Sequence, residues 1–144
     1  MKKILKGIIV LLFIFVLSAC GKDYKPITYT KFTETFKSEP EYLVNNNTPL
    51  VDEKFERFII AAGKNNQFTY YELKTEEAAR KYVELNYKGE KGYSYKDKKD
   101  YITVKSSKGG YFYLIQIDNT IIIGNTEIKA NKKEINRMFK KLGF

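Results

Sequence analysis

Residues 101–124 read YITVKSSKGGYFYLIQIDNTIIIG. Residues 101–105 alternate apolar and polar side chains, and Ser106, Ser107, Lys108, Gly109 and Gly110 then turn the chain. A second apolar run, 111–118, ends at the tight pair Asp118-Asn119, and a third, 120–124, is dominated by isoleucine. β-branched and aromatic residues separated by turn residues predict a three-stranded antiparallel meander. Upstream, residues 57–62 and 67–73 flank the turn Gly63-Lys64-Asn65-Asn66 and read as a hairpin. Within 52–62, however, Phe55, Phe58, Ile59 and Ala62 also have helical spacing, so strand and helix both stay open there. Tyr42, Leu43 and Val44 form a short strand, and 45–49 is a loop of Asn, Thr and Pro.

Three helices surround these blocks. Residues 28–37 start at Thr28 or Thr30 and place Tyr29, Phe32 and Phe36 on one face. Glu39-Pro40 stops this helix, because the residue before proline avoids helical backbone. Thr75 opens a second helix, with Glu76 and Glu77 in its first turn favouring the positive end of the dipole. It frays near Gly89, and the lysine-rich residues 89–100 read as a loop. Residues 132–142 repeat Ile135, Met138, Phe139 and Leu142 along one face. Asn131 and Glu134 form a capping-box-like pair at its start, and Gly143 with Phe144 makes a C-terminal stop. The expected order is α-βββ-α-βββ-α in one small α+β domain, residues 28–144. Its antiparallel sheet is expected to carry the helices packed on one face.

Composition removes much chemistry. The chain of 144 residues has no histidine, no tryptophan and a single cysteine, Cys20. Ser-His-Asp and Cys-His catalysis, histidine-bearing zinc sites and CxxC redox pairs are therefore excluded. No Walker A or EF-hand pattern occurs, and no cofactor and no metal site is expected. The net charge is +9, and Arg57, Arg80 and Arg137 are the only arginines. Arginine is the side chain best suited to bidentate base and phosphate contacts, so nucleic acid is not the expected partner.

The N-terminus explains part of the charge. Lys2, Lys3 and Lys6 precede an unbroken apolar run, 8–17, followed by Ser18, Ala19, Cys20 and Gly21. A basic head, an apolar stretch and a small-residue exit have the layout of a secretory signal. Ten helical residues span only about 15 Å, half of the roughly 30 Å hydrocarbon core of a bilayer. Leu17-Ser18-Ala19-Cys20 resembles the lipobox of bacterial lipoproteins. The resemblance covers residues 1–21. It implies a diacylglyceryl group on the Cys20 sulfur and cleavage between Ala19 and Cys20. Residues 1–19 would then be a removed signal peptide, 20–27 the lipidated N-terminus with a short tether, and 20–144 the mature chain. Removing three lysines with the signal leaves a charge of +6. A thiolate is a fit nucleophile for a thioether link, and two acyl chains meet the requirement for stable anchoring. The implied location is the extracytoplasmic side of the cell membrane. Lys22, Lys25 and Lys31 would then lie near anionic head groups, at about 1 kcal/mol each.

Within the domain, Glu72, Glu76 and Glu77 gather at a strand-to-helix junction, as an acid pair or as ordinary helix-start charges. Ser106 and Ser107 lie beside Lys105 and Lys108 without the SxxK or KTG motif of a Ser-Lys enzyme. No catalytic set is expected. The strongest lead is tyrosine. Tyr111 and Tyr113 share a strand face, and Tyr70 and Tyr71 point to opposite faces. An exposed tyrosine stripe over Tyr70, Tyr71, Tyr111 and Tyr113 would make a recognition surface, while the same residues equally fill half-buried sheet positions. The expected function is non-enzymatic: a membrane-anchored lipoprotein that binds a membrane or envelope protein. The alternative is small-ligand capture beside a transporter.

Overall fold

The computed structural model describes residues 24–50 and 52–144. The lipobox residues Leu17, Ser18, Ala19 and Cys20 lie outside them. Helix α1 (Tyr29–Lys37) is followed by β1 (Leu43–Asn46), a 3-10 turn (Thr48–Leu50), β2 (Phe55–Ala62) and β3 (Gln67–Leu73). Helix α2 (Glu76–Tyr87) leads into β4 (Ser94–Asp97), β5 (Tyr101–Ser106), β6 (Tyr111–Ile117) and β7 (Thr120–Thr126). A second 3-10 turn (Lys129–Asn131) enters α3 (Lys132–Leu142). The expected class and element order hold, with the short strand β4 added ahead of the second block.

All strands join one antiparallel sheet in the order β1-β2-β3-β7-β6-β5-β4. The blocks fuse where β3 pairs with β7, through Thr69 opposite Ile123 and Tyr70 opposite Ile122. The ambiguous segment 52–62 is settled as strand from Phe55 onward, because β2 is hydrogen-bonded on both edges, to β1 and to β3. Residues 89–100 are not wholly loop. Ser94–Asp97 pairs with β5, and its exposed lysine suits an edge strand that must resist further pairing.

The sheet is covered on both faces, which corrects the expectation of helices on one face. Phe32 and Phe36 of α1, with Ile135, Met138, Phe139 and Leu142 of α3, share a core with Tyr70, Tyr113, Ile115 and Ile122. Ala79 and Val83 of α2 pack on the opposite face, against Leu73, Ile102, Val104, Leu114 and Ile121. The reason is in β6 and β7, where Leu114-Ile115 and Ile121-Ile122 are buried in consecutive pairs. Neighbouring strand residues point to opposite faces, so such runs require cover on both. Each fully buried Ile or Phe contributes about 1.5–3 kcal/mol.

Local signals set the helix ends. The Thr28 hydroxyl accepts from the Lys31 N–H at 3.2 Å, and Thr75 accepts from Ala78 at 3.1 Å. Gly143 takes the left-handed conformation at φ 112°, and the Phe144 N–H reaches the Phe139 carbonyl at 3.0 Å. Asn131 departs from expectation: its side chain makes no cap bond. The 3-10 turn before α3 leaves Asn131 at φ −80°, ψ 0°, not in the extended backbone that aims a capping side chain. Glu134 turns instead to Arg137 at 2.7 Å and accepts from the Tyr42 hydroxyl at 3.0 Å.

Candidate binding surface

Helix α2 is the one described helix on its side of the sheet, and it packs on β3, β5, β6 and β7. Its Tyr82 ring meets Phe55, at the start of β2, at 5.7 Å. Beyond that contact, alternate side chains of β1 and the rest of β2 face outward on this side, while Ile59 and Ala61 point into the α1/α3 core. Register places Leu43 opposite Ala62, Asn45 opposite Ile60 and Phe58 opposite Tyr71. Gln67, Thr69, Ile123 and Asn125 continue the same face across β3 and β7. None of these ten positions is charged, in a chain with 30% charged residues. A surface without charge in so charged a chain is not an average sample of it.

The face has an aromatic end and an aliphatic end. Phe58 and Tyr71 stack at 4.9 Å with 14° between their planes, and Phe55 lies 5.1 Å from Tyr71. Burial pushes the Tyr71 and Tyr82 phenols above their usual range, so both stay neutral. Ile60, Ala62 and Ile123 are half-buried, and Leu43 on the edge strand is 73% exposed. The amides of Asn45, Gln67 and Asn125 border the patch. Apolar and aromatic residues inside a polar border form the usual anatomy of a protein interface.

The tyrosine stripe is a correction. Tyr70, Tyr111 and Tyr113 are buried in the α1/α3 core and do not form an exposed stripe. Sheet alternation is as expected, since Tyr71 and Phe112 face α2 while Tyr70, Tyr111 and Tyr113 face the other helices. In a chain without tryptophan, these rings do the filling. Of the four, Tyr71 alone reaches the outward surface described above. Sequence reasoning missed Leu43, Phe58, Ile60, Ala62 and Ile123. The signal for Phe58, Ile60 and Ala62 was the alternation inside 58–62, legible only once that segment is fixed as strand.

The other sequence candidates are dispersed. Glu72 lies on the α1/α3 side, 3.4 Å from Arg57 Nε, whereas Glu76 and Glu77 belong to α2 across the sheet. The Ser106 hydroxyl is buried and accepts from the Lys108 N–H at 3.2 Å, as a turn-forming serine does. Among the described residues, no group of three Cys, Asp or Glu is placed to hold a metal ion. No described helix is long and apolar enough to cross a membrane. No family model matches the chain, and no curated protein matches it.

Proposed function

We propose that the protein is a membrane-anchored extracytoplasmic lipoprotein. It carries out no reaction and binds a protein partner in or beside the same membrane. The observation that carries the binding reading is the uncharged half-face of Leu43, Phe58, Ile60, Ala62, Tyr71 and Ile123, partly exposed beyond α2. The lipobox-like residues 17–20 support the anchoring. Glu72 pairs with Arg57 and Glu76 with Arg80, on different elements, which supports a non-enzymatic role.

Photo-cross-linking tests the reading. Full-length protein is expressed in its native membrane with a photoreactive residue at Ile60, or at the exposed Leu85 of α2 as a control. The expected result is one dominant protein adduct from position 60 and none from position 85. Phe58→Glu should abolish it. An adduct between two copies of this chain, equal adducts from both positions, or none at all overturns the partner reading. Small-ligand capture, the competing reading, predicts no protein adduct at position 60. Mass spectrometry of the same samples reads Cys20, and an unlipidated chain retaining residues 1–19 overturns the anchoring.

A further inference from the structure

The two edges of the sheet are built differently. At one edge, β4 carries Lys96 and Asp97, and Arg80 of α2 holds the Asp97 carboxylate. Such charges guard an edge against further pairing. At the other edge, β1 is Leu43-Val44-Asn45-Asn46, without a charge or a proline. The Asn47 N–H donates to the Phe58 carbonyl at 2.8 Å, which fixes the phase of the ladder. Leu43 and Asn45 therefore bond inward to Ala62 and Ile60, and Val44 and Asn46 turn their N–H and C=O groups outward. Among the described residues, no backbone group pairs with these outward donors and acceptors.

Donors and acceptors in this spacing match another extended backbone. Leu43 and Asn45 also belong to the uncharged half-face, so edge and face form one continuous surface. A second copy of the chain does not fit it. Antiparallel pairing of β1 with β1 would extend the sheet, set the two half-faces side by side and cover neither. That contact would be about 14 Å long, too short for the roughly 1,200 Å² that a stable interface buries. An occupant that covers both brings a strand to the edge and a body over the face.

Charge narrows the occupant further. Residues 38–56 hold five acids, Glu39, Glu41, Asp52, Glu53 and Glu56, against one lysine, in a chain of net charge +9. Arg137 answers Glu39 and Glu41 from α3, and Lys54 answers Asp52 at 3.6 Å. Arg57, the next cation along the chain, is turned to Glu72. Glu53 and Glu56 are exposed, past the C-terminal end of β1, and form no ion pair among the described residues. We propose that β1 accepts an extended segment of the partner as an eighth strand, antiparallel to β1. Its side chains opposite Leu43 and Asn45 are uncharged, and its N-terminal end carries lysine or arginine towards Glu53 and Glu56. This inference rests on the partner reading above and names the partner's contact segment.

Amide hydrogen exchange tests the edge without any substitution. Full-length, isotope-labelled protein in neutral detergent is compared with and without a short synthetic peptide of alternating threonine and valine behind two N-terminal lysines. The Val44 and Asn46 amides should exchange several-fold more slowly with the peptide, and those of Lys96 and Asp97 at the guarded edge should not change. A peptide with glutamates in place of its lysines should protect far less. No protection at Val44 and Asn46, equal slowing in β4, or equal protection by the glutamate peptide overturns the proposal. Slowing that grows with protein concentration in the absence of peptide gives the edge to a second copy and overturns it too. A second arm uses the cross-link from position 60 in the native membrane. Asn46→Pro removes one outward N–H and no bond to β2, and should cut the adduct several-fold. Asn46→Ala loses only the side-chain bond from the Thr48 N–H, at 3.0 Å, and should leave the adduct intact. A wild-type adduct that survives Asn46→Pro undiminished overturns the added strand and spares the partner reading. Absence of the wild-type adduct overturns the partner reading, and the added strand falls with it.

Discussion

Glu39 is an acid almost withdrawn from solvent at the end of α1. Arg137 of α3 grips it with two bonds, at 3.1 and 3.0 Å, and Lys141 adds a third. Hydrogen bonds from Arg137 and Lys141 lower its pKa from 4.5 to about 2. Arg137 also holds Glu134, whose carboxyl is lowered by the same guanidinium. The sign follows from linkage. A carboxylate depressed in the folded state contributes stability above its ordinary value, and that contribution is lost as pH falls from about 4.5 towards 2. Urea unfolding of the wild type should therefore show a falling midpoint across this window. Glu39→Gln should flatten that acid limb and cost about 2 kcal/mol at neutral pH, a moderate value because Arg137 is half exposed. An acid limb unchanged in Glu39→Gln would remove Glu39 from the account.

Helix termini and close approaches decide how elements meet. Thr75 caps α2 through its side chain, whereas Asn131 does not cap α3. Thr75→Ala should lower stability by about 1 kcal/mol, and Asn131→Ala by a few tenths at most; denaturant midpoints at constant slope would check both. Sequence pattern made Asn131 look equivalent because it reports residue type and spacing, not the backbone angle that a preceding 3-10 turn imposes. The same limit explains β4, whose polar residues 94–97 carry no strand signature and are ordered by their pairing with β5. Where an element's own residues bury its face, as in α3, the sequence was legible. Gly124 of β7 shows how tightly α3 sits. A Cβ there would lie 2.7 Å from carbons of both Phe139 and Phe68. Gly124→Ala should cost about 1–3 kcal/mol through overpacking, and Phe139→Ala about 3–5 kcal/mol through the cavity it leaves. The double variant should lose less than the sum, since each change relieves the other. Full additivity would mean that the helix shifts rather than jams.

At the scale of the molecule, the fold class and the order of the blocks were legible because turn residues punctuate the chain, but the burial of both sheet faces was not. Ile121-Ile122-Ile123 carried that information, since a strand with one solvated face has no use for an unbroken isoleucine run. The candidate surface was illegible for a related reason. It is defined by where α2 stops, and no local pattern encodes that edge. The two ends of the described chain meet at one corner: the Tyr24 ring lies against Phe144, and Phe144 against Phe139. With Cys20 as the proposed lipid-bearing residue, four Cα-to-Cα steps separate the anchor from Tyr24, at most about 14 Å fully extended. The C-terminus would then sit close to the head groups. A fluorophore attached after Phe144 should be quenched strongly by a quencher placed at the bilayer surface, and one at the exposed Leu85 of α2, across the sheet, much less. Phe144→Ala should loosen the clamp on Tyr24 and speed proteolysis within residues 24–28, and it should widen the spread of distances reported by the C-terminal probe. Equal quenching at both positions would mean that the tether does not hold this corner towards the membrane.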